Sequence, residues 1–421
     1  MGAVMNPLLQ KFVSRLIQTG TLTITDAAGA VHRFGDGSGQ PVHIVIRSRH
    51  AERAIALDPM LAVPEMYMEE QIDFLEGDVL ALLKVVYANF ERGGKEALVM
   101  KIGEGARYLF RRLHQFNPAS RSKRNVARHY DLSGELYKLF LDEDMQYSCA
   151  YFPRPGITLE EAQRAKKRHI MAKLDLKPGQ KVLDIGSGWG GLGLDIARQF
   201  DASVLGVTLS QEQHAVSQRR AQEAGLADKA RFEIVDYRAL TGPFDRIVSV
   251  GMFEHVGINH YRTFFEKCAR LMTDDGVMLL HTIGRSTGPS VTNAFIRKYI
   301  FPGGYIPSMS EILPAIEKAG LIVTDIEVLR LHYAETLKHW RERFMANRAK
   351  AVEIYDERFA RMWEFYLAGS EASFRWQEMV NFQIQITRKR ETLPLTRDYM
   401  GEVEKRLTAP RGRKTFTDAA E

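Results

Sequence analysis

The chain is poor in the features that define several large protein classes. Only two of its 421 residues are cysteine, Cys149 and Cys268. Two cysteines cannot build a disulfide framework and show no zinc-ligand spacing, which fits a reducing cytoplasm and a protein without a metal site. No run approaches the roughly 18 apolar residues of a spanning helix, so none is expected. Near the start, Lys11 and Arg15 interrupt the apolar stretch, so it does not read as a signal peptide. Internal repeats and long low-complexity tracts are lacking, which excludes a solenoid or array. Neither sign of charge dominates: 58 Lys+Arg against 52 Asp+Glu give a net charge of +6. No aromatic-rich motif accompanies the basic residues, so a nucleic-acid partner is not expected. Hydrophobic content of 45% and charged content of 26% are ordinary for a globular chain long enough for two or three domains.

What the chain does have is Val182-Leu-Asp-Ile-Gly-Ser-Gly-Trp-Gly-Gly191. A short apolar run carrying an acid meets a glycine-rich turn, and a helix-like segment follows. That is the strand, loop and helix N-terminus at which α/β folds hold nucleotides. Gly186, Gly188 and Gly190 let the backbone bend sharply and approach a ligand, and Asp184 precedes the turn. The loop also satisfies the dinucleotide pattern through Gly186, Gly188 and Gly191. A nicotinamide site needs an acid closing the next strand, whereas Ser203 to Ser210 ends in hydroxyls. The alternating glycines after Val-Leu-Asp instead resemble motif I of S-adenosylmethionine-dependent methyltransferases.

Pro7 to Thr19 has the period of an amphipathic helix, either packed on its own domain or lying on a membrane surface. Thr21–Thr25 alternates like a strand, with Ala30 to Phe34 returning as a hairpin. Val42 to Arg47 is another strand candidate, and Pro64 to Leu75 and Asp78 to Phe90 read as helical. Residues 1–95 are therefore expected to form a small α+β domain, closed by Gly93-Gly94. Residues 96–125 read as a basic linker. Between 101 and 130, Lys101, Arg107, Arg111, Arg112, Arg121, Lys123, Arg124 and Arg128 stand against the single acid Glu104. The stretch is either a solvated linker or a contact for anionic phosphates on a membrane.

From Val182 onward, strand and helix alternate. Strands are expected at 181–185, 203–208, 231–236, 245–250, 276–282 and 321–329. Helices include Gln211 to Ala224 and Tyr261 to Leu271. This pattern implies a parallel sheet covered on both faces. A long helical stretch, 334–370, precedes Met379 to Thr387, a candidate returning strand. Residues 126–395 then form the catalytic domain, and 396–421 a polar, loosely held tail.

Ligands in such sheets sit beyond the carboxyl ends of the strands. There the sequence puts Asp184 with its glycine loop, Thr208 and Ser210, Gln213 in the next helical turn, and Asp236-Tyr237. Asp236 is a carboxylate suited to an adenine amino group, and Ser210 is equally an N-cap. Two later strands end in Glu254-His255 and in His281, beside the presumed cofactor edge; no third partner supports a metal site at the first pair.

Gln146-Tyr-Ser-Cys-Ala-Tyr-Phe152, Val182-Leu-Asp-Ile-Gly186, Gly251-Met-Phe-Glu-His-Val-Gly257, His281-Thr-Ile-Gly284 and Tyr299-Ile-Phe-Pro302 occur in that order. Together they resemble the cyclopropane-fatty-acyl-phospholipid synthase family, which includes the mycolic acid cyclopropane synthases. The resemblance is dense over residues 120–390 and weak over the N-terminal domain. It implies a Rossmann-like class I methyltransferase fold: a mostly parallel seven-stranded sheet with helices on both faces. It implies S-adenosylmethionine held by Tyr147, Ser148 and the strand-end residues above, and a bicarbonate ion held by Cys149, Glu254, His281, the backbone of Ile283, and Tyr333. Two departures are Ser187, where relatives often carry Cys, and Asp131-Leu-Ser-Gly134, where they often carry Asn. The implied partner is an unsaturated phospholipid at the cytoplasmic membrane face, met through peripheral contact by a homodimer.

The chemistry such a family performs explains the residue types. A cis alkene attacking the sulfonium methyl leaves a carbocation, and loss of a proton from the new methyl closes a three-membered ring. The protein must align the reactants, exclude water and present a base. Tyr147, Tyr151, Phe152, Phe253, Tyr299, Phe301 and Tyr305 are candidates for an aromatic wall facing the cation, against ordinary core packing for most of them. Cys149 as a covalent nucleophile is the competing reading, with no base beside it in sequence. A related methyltransferase giving a methyl-branched or methylene chain, and an inactive membrane-binding relative, remain as alternatives.

Overall fold

The computed structural model describes residues 5–90 and 134–409, so the basic stretch at 101–130 lies outside the described residues. The N-terminal unit runs α1 (Pro7–Leu16), β1 (Thr21–Thr25), β2 (Val31–Phe34), β3 (Pro41–Ile46), α2 (Arg49–Leu57), α3 (Pro59–Met68), β4 (Ile72–Glu76) and α4 (Val79–Phe90). Its sheet has the order β2-β1-β3-β4. Asn6 caps α1 by accepting from Leu8 N and Leu9 N, and Leu9, Val13 and Ile17 bury the apolar face against Leu22, Ile24, Val42 and Ile44. Of the two readings of this helix, packing on its own domain is therefore the one realised, although Leu8 remains exposed.

The expected hairpin forms, with β1 and β2 antiparallel. The helix expected over Pro64 to Leu75 is corrected: α3 starts earlier and stops at Met68. Glu70 then takes a left-handed φ of 56°, and the chain returns as β4 on β3, with Ile72 inward.

The second unit opens with α5 (Gly134–Lys138) and α6 (Leu159–Lys173). It alternates through β5 (Lys181–Ile185), α7 (Gly191–Phe200), β6 (Ser203–Thr208), α8 (Gln211–Glu223), β7 (Ala230–Ile234), β8 (Phe244–Val250), α9 (Tyr261–Leu271) and β9 (Met272–Arg285). It ends with α10 (Met309–Lys318), β10 (Ile322–Leu329), α11 (His332–Ala346), α12 (Arg348–Ile354), α13 (Glu357–Trp376), β11 (Met379–Thr387) and α14 (Asp398–Thr408). The strand order is β10-β11-β9-β8-β5-β6-β7. β11 is the antiparallel member, pairing with both β9 and β10, while β9, β8, β5, β6 and β7 pair in parallel. The seven-stranded, mostly parallel sheet of a class I methyltransferase is thus realised, including the returning strand.

Two expectations change here. The helical stretch 334–370 is three helices, not one. Asn347 Nδ2 donates to the Leu139 and Arg343 carbonyls at the end of α11, and Asp356 caps α13 by accepting from Phe359 N at 2.6 Å. The start of the supposed loose tail is the ordered helix α14, with Met400 buried. Its Glu404 reaches His169 on α6 at 2.5 Å.

The N-terminal unit rests on α13: Arg361 Nη2 donates to Asp73 at 2.8 Å, and its Nη1 to the Tyr67 carbonyl at 3.2 Å. Glu65 accepts from both Lys298 Nζ (2.6 Å) and Tyr299 OH (2.7 Å). The segment that carries Tyr299 is therefore anchored to the first domain.

Candidate active site

β5 ends in Asp184 and Ile185, and the glycine turn follows. Gly186 has φ +84° and Gly190 φ +83°, both in the left-handed region. A Cβ on Gly186 would lie 2.8 Å from Met252 Cβ, and one on Gly190 would lie 2.8 Å from the Phe232 ring and 2.9 Å from Ser217 Cβ. The turn is therefore closed to side chains by conformation and by space.

A cavity opens at the carboxyl ends of β5, β6, β7 and β8. Tyr147, Ser148, Asp184, Gly186, Gly188, Thr208, Gln213, Asp236 and Tyr237 all line it. Two expected cofactor residues do not. Gly190 is the N-cap position of α7 and packs inward on Phe232. Ser210 is fully buried and accepts from Gln213 N as the cap of α8, so the N-cap reading holds for it. Thr208 Oγ1 donates to Gln213 Oε1 at 2.9 Å, which fixes that amide at the wall. Asp236 accepts from Arg238 Nε at 2.8 Å and Nη2 at 2.5 Å. Burial works against its charge, but Arg238 overcomes this and holds the carboxyl below its ordinary range.

Burial pushes Asp184 up to about 7 and pulls His255, also on the wall, down to about 4. The histidine is therefore neutral near pH 7. The sequence reading missed Lys166 of α6. It lines the same cavity, is 1% exposed, and donates to Gln146 Oε1 at 2.7 Å and Ser148 Oγ at 2.8 Å. The signal was present: Lys166 and Lys173 fall on the stripe of Ala162, Gln163 and Ile170 that α6 buries, where a lysine needs a reason.

The five residues expected around an ion come from four places in the chain: Cys149 from a loop, Glu254 from a short turn after β8, His281 and Ile283 from β9, and Tyr333 from α11. Cys149, Tyr333 and Ile283 pack in one apolar cluster with Tyr147, Tyr299 and Phe301. Burial drives the Cys149 thiol far above its usual range, and its Sγ donates to the Ala150 carbonyl at 3.3 Å. A thiolate nucleophile has no support here. Glu254 Oε1 accepts from Ile283 N at 2.6 Å, while Oε2 is buried without a hydrogen-bond partner among the described residues. Burial raises the Glu254 pKa. The Ile283 N–H thus serves Glu254, and the Ile283 carbonyl accepts from Thr282 Oγ1 at 3.1 Å.

His281 is driven well below its ordinary pKa by burial. Gln383 Nε2 lies 3.1 Å from its Nδ1; with the amide donating, the neutral ring carries its proton on Nε2. Among the described residues that Nε2 is buried and unpartnered. Gln383 on β11 and Thr336 on α11, whose Oγ1 accepts from Ala150 N at 3.0 Å, are further supports the sequence reading missed. Both are brought in by tertiary pairing, which no local pattern announces.

The aromatic candidates divide. Phe253 and Tyr305 are core residues packed with Phe264 and Phe265. Tyr151 stacks between His169 (4.1 Å) and His332 (4.9 Å), and Phe152 on His339 (5.8 Å). Tyr147 OH meets Tyr366 OH at 2.8 Å. Tyr147, Tyr299 and Phe301 stay on the cluster that contains Cys149 and Tyr333.

Residues 118–384 match the family model described as mycolic acid cyclopropane synthetase, and residues 8–94 match a domain of unknown function. A probable fatty acid methyltransferase of Pseudomonas putida is 44% identical over 257 residues, 59% of this chain; the chain spans 65% of that relative's length. The cyclopropane-fatty-acyl-phospholipid synthase of Escherichia coli K12 is 41% identical over 275 residues, 65% of this chain and 70% of the relative. Among solved structures, the mycolic acid cyclopropane synthase CmaA1 complexed with SAH and CTAB is 35% identical with a TM-score of 0.61, covering 65% of this chain and 99% of that one. By the matched model, these identities and the shared sheet, the chain belongs to the mycolic acid cyclopropane synthetase family and is an enzyme of the S-adenosylmethionine-dependent methyltransferase class.

Proposed function

We propose that the protein adds a methylene bridge across the cis double bond of unsaturated acyl chains in phospholipids, at the cytoplasmic membrane face. The observation that carries the reading is a glycine-loop cavity lined by Tyr147 and Ser148 together with Glu254 Oε2 and His281 Nε2, buried and unpartnered among the described residues; Ile283, bonded to Glu254, packs on the cluster that holds Cys149 and Tyr333.

S-adenosylmethionine supplies the electrophilic methyl. Asp184, the glycine loop, Gln213 and the Asp236–Arg238 pair hold and orient it. The alkene carbon forms the new C–C bond as the C–S bond breaks, releasing S-adenosylhomocysteine and leaving a carbocation. Tyr147 and Phe301 exclude water and offer aromatic surface to that charge, whereas the Tyr299 ring is already faced by Lys298 at 5.0 Å and Arg358 at 5.8 Å. Bound bicarbonate, held by the expected set of Cys149, Glu254, His281, Ile283 and Tyr333, would supply a base for the proton lost on ring closure. The unpartnered His281 Nε2–H is a donor suited to an oxyanion, and Glu254 Oε2 an acceptor suited to the proton such an ion carries. Tyr333 and Cys149 would complete the set; both belong to the cluster on which Ile283 packs.

Membrane contact through the basic residues at 101–130, and assembly as a homodimer, belong to the same proposal. Among the described residues no helix is long and apolar enough to cross a membrane.

A second reading is favoured by the Pseudomonas putida relative: a fatty-acyl methyltransferase giving a methyl-branched or methylene chain. Mass spectrometry of lipids from an expressing host separates the two. A ring and a methylene group both add CH2, so chromatographic retention and fragmentation must be compared, and retention matching an authentic cyclopropane standard supports the first reading.

A further inference from the structure

Lys166 is a buried cation with no contact ion pair among the described residues; Asp142, Asp144 and Asp184 act on it only through space. Both of its hydrogen-bond acceptors, the Gln146 amide oxygen and the Ser148 hydroxyl, are neutral. The nearby acids are engaged elsewhere. Asp144 is held by Lys167 and Arg220, and Asp142 accepts from the backbone of Gln146 and Asp144. Asp184 shares the cavity wall and couples to Lys166 only through space. A buried ammonium with neutral partners alone is costly unless something anionic comes to it. Its position decides where that anion lies, because Lys166, Ser148 and the glycine loop line one cavity.

We propose that Lys166 is the binding residue for the amino-acid carboxylate of the methyl donor and its demethylated product, with Ser148 held beside it as a second donor. The inference rests on the S-adenosylmethionine reading of the cavity and extends it to a group that no glycine motif identifies. Two chemical features fit. The ammonium has a third N–H beyond the two used by Gln146 and Ser148. Burial lowers the Lys166 pKa to about 8 in the ligand-free protein, so the side chain is still mostly charged at pH 7, and an arriving carboxylate stabilises that form. The competing role is a latch that merely holds Gln146 and Ser148 in place.

The two roles separate by calorimetry on the full chain at pH 7. Titrate S-adenosylhomocysteine and its decarboxylated analogue, in which hydrogen replaces the carboxylate, into wild type, Lys166→Met and Lys166→Arg. Wild type is expected to prefer S-adenosylhomocysteine by about 10- to 100-fold, the range of a charge-assisted hydrogen bond. Lys166→Met is expected to lose that preference while binding the analogue nearly as wild type does, and Lys166→Arg to keep part of it. Lys166→Gln supplies the same comparison should the apolar replacement not fold. A preference unchanged in the Met or Gln variant, with both ligands weakened alike, overturns the proposal and leaves the latch. Wild type that binds neither ligand overturns the cofactor reading itself.

Discussion

In the proposed mechanism, Glu254 is the residue on which the chemistry turns. One carboxylate oxygen is fixed by the Ile283 N–H, and the other is buried and unpartnered. Glu254→Gln keeps the shape and removes the negative charge. It is expected to lower turnover about 10²- to 10⁴-fold while S-adenosylhomocysteine affinity stays within about 3-fold of wild type, because Glu254 is not on the cofactor wall. Single-turnover rates and calorimetry on the same preparation check this; cofactor binding lost together with activity would refute the role. Gly190→Ala tests the turn itself. The left-handed φ and the contacts with Phe232 and Ser217 predict a loss of about 1–3 kcal/mol in denaturant unfolding. Residues of this kind were legible because they end strands or interrupt them with glycine. Gln383 and Thr336 were not, since each is polar in a regular element and acquires meaning only from a neighbour more than a dozen positions away in the chain; Lys166 showed only as a lysine on the stripe that α6 buries.

Among the elements, α6, β10 and α14 meet at His169. Its Nε2 reaches Glu327 at 2.6 Å and its Nδ1 reaches Glu404 at 2.5 Å; Lys173, Asp325 and Arg397 surround them, and Tyr151 stacks on the ring. Burial opposes the imidazolium, but the two carboxylates overcome it and raise its pKa. Burial likewise opposes the Glu327 charge, and His169 with Lys173 overcomes it, pulling the group down to about 2. The signs follow from linkage. The raised histidine contributes fully below its ordinary 6.5 and loses its contribution as pH rises through the folded value. The lowered glutamate contributes above its ordinary 4.5 and loses its contribution as pH falls toward about 2. Melting curves should therefore show His169→Gln about 2–4 kcal/mol less stable than wild type near pH 6, with the difference shrinking toward pH 9. A constant difference across that range would exclude the charged clamp. This junction also explains why 398–408 read as loose from sequence: its polar residues are satisfied by distant partners, and Met400 is a single buried anchor. The central strands, by contrast, were legible from apolar runs alone, because both faces of a parallel sheet are covered.

At the scale of the molecule, the proposed function sets both domains one surface problem: an acyl chain would pass from a bilayer to a buried base. The first domain touches the aromatic segment directly, through Glu65 to Tyr299 and Lys298. That pairing spans 234 positions in the chain, beyond any sequence pattern. Vesicle binding through the basic residues at 101–130 is expected to weaken at least 10-fold between about 0.05 and 0.5 M salt, since the attraction of cationic side chains to anionic lipid is screened over that range. Cosedimentation with anionic vesicles measures it, and salt-independent binding would point to an apolar contact instead. The central claim is tested most directly by incubating the purified chain with vesicles of cis-unsaturated phospholipid and methyl-labelled S-adenosylmethionine, then determining the structure of the labelled acyl chain. A cyclopropane ring at the former double bond, formed with one equivalent of S-adenosylhomocysteine, is the expected result. A chain that binds the donor yet never consumes it in the presence of these lipids would contradict the account.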